Sequence, residues 1–137
     1  MNTLQARVES IEEQTPFCIV HLSLASGELK LVKTERPSWL DVGDPVECQI
    51  AEDCVSVCLP EVKNEISIEN KVNGYVIMMR GNALLTELTV KSEWGILVAL
   101  ITADACRRLD IVKGTEVTLL MKALDFRLYP ARMSAFA

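Results

Sequence analysis

Asn70-Lys-Val-Asn-Gly-Tyr-Val76 echoes Asn2-Thr-Leu-Gln-Ala-Arg-Val8, which stands 68 positions earlier, and that echo decides the fold. Asn2, Leu4 and Val8 become Asn70, Val72 and Val76. Working outward, Val20, Leu22, Gly27, Leu29 and Thr34 return as Leu88, Val90, Gly95, Leu97 and Thr102 at the same spacing. Farther on, Gly43-Asp-Pro-Val-Glu-Cys-Gln-Ile50 matches Gly114-Thr-Glu-Val-Thr-Leu-Leu-Met121, now 71 positions apart, so the second copy carries three extra residues. A repeat of this length is too long for a solenoid unit and suits a small barrel. The sequence therefore predicts a mainly β chain of two tandem copies. The first occupies residues 1–59, a linker 60–65, the second copy 66–129, and a frayed or loosely docked tail 130–137.

Composition narrows the options. Each half of a 137-residue chain buries only ~60% of its unfolded surface and is marginal alone. Half of the residues are hydrophobic and the mean hydropathy is +0.22, more than two isolated mini-barrels need. The halves, or several chains, are thus expected to pack on each other. A net charge of −5 with no Lys/Arg run excludes a phosphate-backbone footprint. Any anion site must be local, because an acidic chain does not draw anions from afar. Met1-Asn-Thr-Leu-Gln-Ala-Arg7 reads as a strand start and not as a signal peptide, and no apolar stretch approaches the ~20 residues that span a bilayer. Five cysteines, Cys18, Cys48, Cys54, Cys58 and Cys106, are an odd set that suits reduced cytoplasmic thiols. Cys54 and Cys58 lack the second pair or nearby histidine that a metal site requires.

Period-2 alternation places strands at 17–24, 28–33, 45–50 and 54–58 in the first copy. Ala25-Ser-Gly27 is a hairpin turn between the first two. In the second copy the strands fall at 73–79, 83–90, 96–101 and 117–121, with Gly74 at a bend. One short helix is expected, capped by Thr102 and opening Ala103-Asp-Ala-Cys106, with Cys106 and Leu109 toward the core. In the first copy Pro37 leaves room for at most one turn. His21 is a single half-exposed strand residue, and no nucleophile–base pattern or phosphate loop accompanies it, so the sequence offers no enzyme constellation. Trp39 and Trp94 read as core or interface plugs.

The second copy resembles the molybdenum–pterin-binding (Mop) domain, also called TOBE. The residues that carry the resemblance are Ile66-Ser-Ile-Glu-Asn70, Asn73-Gly-Tyr-Val76, Gly95 to Thr102, Arg108-Leu109 and Lys113-Gly-Thr-Glu-Val-Thr-Leu-Leu-Met-Lys-Ala123. The first copy matches more loosely, and the whole resembles a di-Mop, molbindin-like protein without a DNA-binding half. The resemblance implies two five-stranded, OB-like barrels that assemble into homo-oligomers. It also implies molybdate or tungstate held between barrels, and a cytoplasmic role in transport, storage or sensing of the metal. Components of a molybdate ABC transporter are then candidate partners.

A tetrahedral dianion needs several converging donors in place of water. Carried over by position, the resemblance implies Ser67, Thr102 and Lys122 as donors, with Asn70 and Lys71 beside them. Two family features are lost: the arginine is Glu69 and the helix serine is Ala105. In the first copy Ala51 stands where Lys122 does in the second. At 4 Å one charge against another is worth ~4 kcal/mol at an effective dielectric near 20. An Arg-to-Glu reversal is therefore comparable to a whole micromolar affinity of about 8 kcal/mol. Either Glu69 faces solvent, or Lys71, Arg7 or Arg107 takes over as the cation. The bland reading makes Thr102 a helix cap, Lys122 a snorkelling surface lysine and Ser67 a solvated turn residue. A degenerate di-Mop module acting only through protein contacts is the rival reading.

Overall fold

The computed structural model describes residues 1–60 and 65–131. Most of the expected linker and nearly all of the expected tail lie outside those residues. The strands are β1 (Asn2–Gln14), β2 (Phe17–Ser23), β3 (Glu28–Lys33), β4 (Pro45–Ile50) and β5 (Ser56–Cys58), then β6 (Asn70–Gly81), β7 (Leu85–Ser92), β8 (Gly95–Thr102), β9 (Glu116–Met121) and β10 (Arg127–Pro130). One helix, α1 (Ala103–Arg108), lies between β8 and β9. Among the described residues the fold is thus mainly β, with two five-stranded antiparallel sheets and one short helix, as the sequence leads one to expect.

The repeat is visible in the register. β1 pairs through its first residues with β4 and through the rest with β2, and a bulge lies between Val8 and Ser10 where the neighbours change. β6 does the same with β9 and β7, with its bulge between Val76 and Met78, 68 positions on. A bulge bends its strand and increases the local twist, so each long strand can serve both sides of a curled sheet. Gly74 lies at this handover, paired with both Ser92 and Val117. A Cβ there would stand 2.5 Å from the Lys91 carbonyl oxygen, so the close approach excludes a side chain. Each bulge is anchored alike: Val8 N–H donates to the Asp44 carbonyl and Gly43 N–H to that of Val8, just as Val76 N–H donates to Thr115 and Gly114 N–H to Val76. Gly43 (φ +91°) and Gly114 (φ +94°) hold the left-handed conformation that these turns require.

The sheets do not coincide with contiguous halves of the chain. The first has the order β10-β4-β1-β2-β3 and the second β5-β9-β6-β7-β8. Each therefore takes its last strand from the other copy. Ser56–Cys58 runs along β9, and Arg127–Pro130 runs along β4. Where the alternation predicts one strand over 54–58, Glu52–Cys54 forms a 3₁₀ turn and only Ser56–Cys58 is strand. The core is one continuous cluster with residues of both copies, from Val8, Val20, Leu31 and Val46 to Val76, Leu88, Leu97 and Leu119. Trp94 packs against it, with its Nε1 close to Gly27 of the opposite hairpin, and Trp39 also packs on it.

A second cross-link is polar. The Asn2 side chain donates from Nδ2 to the Val98 carbonyl (2.8 Å) and accepts from Val98 N–H at Oδ1 (2.8 Å). The Asn70 side chain makes the same pair with Lys30, at 2.7 and 2.8 Å. Both asparagines are buried, at 6% and 2% exposure. Each uses an amide to complete the outer edge of a strand in the other sheet. Removing the side chain strips two bonds and leaves a backbone N–H and C=O without partners. Asn70→Ala is therefore expected to cost about 2 kcal/mol in urea unfolding, and Asn2→Ala a similar amount; an unchanged midpoint for both would remove the asparagines from the account.

Candidate functional site

The candidate donors fall at two ends of the second sheet. Asn70 pairs with Met121, so Glu69 and Lys122 flank the same end of the β6–β9 ladder. Lys122 is exposed and extended (φ −71°, ψ 138°) and leads into the 3₁₀ turn Ala123–Asp125, which packs against β3 of the first sheet. Among the described residues no hydrogen bond or ion pair holds the Lys122 ammonium, while its carbonyl accepts from Asp125 N–H (3.0 Å). Ser67 sits in an exposed bend three residues before β6. Lys71 is half-buried opposite Leu120 and is engaged; its charge acts on the nearby Cys58, partly opposing the burial that raises that thiol.

Thr102 belongs to the other end. It ends β8 opposite Leu85, beyond the Gly81–Thr86 pair that closes β6. Its hydroxyl accepts from Ala105 N–H (3.1 Å), making it the N-cap of α1 as its sequence position predicts. Cys106 is buried on the inner side of the helix and Leu109 packs on the core, also as expected. β6 thus runs from the Asn70 end, with Ser67, Lys71 and Lys122, to the Gly81 end, with Thr102. Within one chain the register sets Lys71 and Lys122 at one end of β6, with Ser67 in the bend that leads into it, and Thr102 at the other.

Asn70, expected among the donors, spends both polar atoms of its side chain on the Lys30 backbone. Glu69 is exposed, in keeping with the first of the two alternatives, but it does not stand alone. Its carboxylate accepts from Lys30 Nζ at 2.5 Å, across the two sheets. Arg7 instead donates to the Gly43 carbonyl (2.8 Å), and Arg107 lies 3.9 Å from Asp104 on α1. Lys30 is the functional candidate that the sequence does not reveal. It lies 39 positions from Glu69 in another copy, and the neighbouring Asn70 clamp holds its strand there. The opposite junction is built differently: Val98 takes the place of Lys30 and Ala51 that of Lys122, and the ion pair there joins the Met1 ammonium to Glu52. This end of the second sheet therefore carries the Lys30–Glu69 pair, with Lys122 and Lys71 beside it.

The remaining chemistry-bearing residues are dispersed. His21 Nε2 pairs with Glu12 Oε2 (2.6 Å) on the surface. All five cysteines are free, and among the described residues no three His, Cys, Asp or Glu side chains gather to hold a metal. Burial pushes the Cys48 thiol up to about 12, and Cys18 also rises, chiefly through burial.

With this geometry in hand, the chain can be set beside known proteins. No family model matches it, and no curated protein does. Solved structures do, and they identify the architecture as two tandem OB-like barrels. One is the cytoplasmic molybdate-binding protein ModG in a form with molybdate bound: TM-score 0.88, 21% identity, 95% of this chain and 96% of that one covered. At this identity the likeness is one of fold, and it runs through both barrels.

Two outcomes check the local structure. Thr102→Ala removes the cap and should cost about 1 kcal/mol of stability, measured by thermal or urea unfolding. The Cys48 thiol stabilises the fold fully below its ordinary value of 9.0, and that contribution is lost as pH rises toward the folded value of about 12. Unfolding midpoints should therefore fall above pH 9, and Cys48→Val should flatten the fall; an equal slope in the variant would assign it elsewhere.

Proposed function

We propose that this protein is a cytoplasmic molybdate-binding protein, a carrier or sensor of the oxyanion rather than an enzyme. The observation that carries the reading is the likeness in fold, over 95% of the chain, to a molybdate-bound protein, combined with a Lys122 ammonium that is exposed and without a partner among the described residues at the position the Mop resemblance singles out. Lys30 offsets the Glu69 carboxylate at that end, and Ser67 adds a hydroxyl. Tungstate is the same tetrahedral dianion in charge and shape, and the site would take either. Because Thr102 lies at the opposite end of β6, it would join Lys122 only across two copies of the chain. The complete site is accordingly proposed for a homo-oligomer. The two copies of the repeat, 1–59 and 66–129, are proposed to function as one interlocked unit.

Glu69 does not defeat the reading. An isolated carboxylate 4 Å from a dianion would oppose it by several kcal/mol at an effective dielectric near 20. Paired with Lys30 at 2.5 Å, that charge is largely offset. The pair nevertheless favours the second reading, in which the chain is an accessory module that acts through protein contacts, for example on a molybdate transporter. There, an internal carboxylate would take the place of the anion.

Calorimetry separates the two readings. Molybdate and tungstate should bind with micromolar or tighter dissociation constants, and sulfate more weakly. No heat, and no shift in melting temperature at millimolar oxyanion, leaves only the accessory reading. Lys122→Ala should weaken binding at least ~10-fold, a loss of about 1.4 kcal/mol. Glu69→Arg should strengthen it; unchanged affinity in both variants would place the site elsewhere.

A further inference from the structure

Glu69 and Lys122 adjoin the Asn70–Met121 pair at the end of the β6–β9 ladder. Asn70 and Met121 are buried, whereas Glu69 and Lys122 are exposed. Alternation therefore puts Glu69 and Lys122 on one outer face, as neighbours across the two strands. The Lys30 ammonium lies on Glu69 Oε2 at 2.5 Å. The other carboxylate oxygen, Oε1, has no partner among the described residues, and the side chain is 52% exposed. Lys30 thus offsets the charge and holds one oxygen, and the second oxygen is open beside Lys122. The fold does not need this carboxylate. At the opposite junction Asn2 makes the same clamp on Val98, with Met1 in the place of Glu69.

An open carboxylate oxygen beside a lysine sorts oxyanions by a single proton. Near neutral pH molybdate, tungstate, sulfate and selenate present only acceptor oxygens. Hydrogenphosphate and hydrogenarsenate have the same tetrahedral plan and the same double negative charge, but keep one O–H. An ionised carboxylate can only accept. Against a bare oxyanion it sets acceptor against acceptor; from an O–H it takes a short, charge-assisted bond. A site that accepts such a hydrogen rejects the analogue that lacks it. We infer that Glu69 is a specificity-determining residue that opens the Lys122 end to proton-bearing tetrahedral oxyanions, hydrogenphosphate and hydrogenarsenate, by accepting their O–H at Oε1. Lys122 supplies the cation, and Lys30 fixes the carboxylate. An arginine in this place would only donate and would have no use for the proton. The inference rests on the anion site proposed above and adds a ligand class to it.

The test is calorimetry on the full chain at slightly alkaline pH, where phosphate and arsenate are mainly monohydrogen dianions. Two matched pairs are titrated, hydrogenphosphate against sulfate and hydrogenarsenate against selenate, with molybdate alongside. Each proton-bearing anion should bind at least ~10-fold more tightly than its bare counterpart. Glu69→Gln presents an N–H as well as a carbonyl, so it should abolish that preference and tighten sulfate and molybdate, with an unchanged circular dichroism spectrum. Lys122→Ala should weaken both members of a pair alike and leave their ratio intact. Equal affinities within each wild-type pair overturn the inference, and if molybdate still binds, the molybdate reading survives. A preference that persists in Glu69→Gln overturns it as well. Molybdate silence with the preference intact overturns the molybdate reading instead, and silence from every anion overturns both.

Discussion

Two buried asparagines hold the two sheets to each other, and most other features depend on that hold. Asn2 and Asn70 each present one donor and one acceptor to a single residue on the far sheet, Val98 and Lys30. An outer strand otherwise presents unpaired backbone groups, which are costly when buried and adhesive when exposed. A primary amide is the side chain that answers an N–H and a C=O together. The exchange of β5 and β10 works in the same direction. Neither sheet is complete without a strand from the other copy, so the marginal stability expected of a barrel of about 60 residues is pooled.

Duplication does not mean equivalence. At one junction the asparagine clamp brings Lys30 to Glu69 and lies beside Lys122; at the other the same positions hold Val98 and Ala51. The copies have also diverged on the outside, polar around Glu28 and apolar around Ile96. One backbone plan has thus given the second barrel both an exposed cation and an exposed apolar face, and has left the first barrel to complete the structure.

Much of the fold was legible in the sequence because it rests on local patterns. The paired glycines mark real positive-φ turns, the alternation gives β2, β3, β4 and β9 nearly to the residue, and Thr102 caps the helix. The strand exchange was not legible. Ser56–Cys58 and Arg127–Pro130 are too short to carry a pattern that names a partner, and the choice of sheet is made by residues far away in sequence. The site was legible only in part. Ser67 and Lys122 can be proposed from position, but the partner of Glu69 depends on contact between copies, and the fate of Asn70 depends on Lys30. Residue type alone does not distinguish an asparagine that binds a ligand from one that closes a strand edge.

Native-state hydrogen exchange at the amides of Lys30 and Val98 tests the central claim most directly. If the asparagine clamps and exchanged strands lock the sheets together, both amides should exchange only through global unfolding, with one common free energy and one denaturant slope. Exchange of either amide through a separate, lower-energy opening of its own sheet would contradict the account.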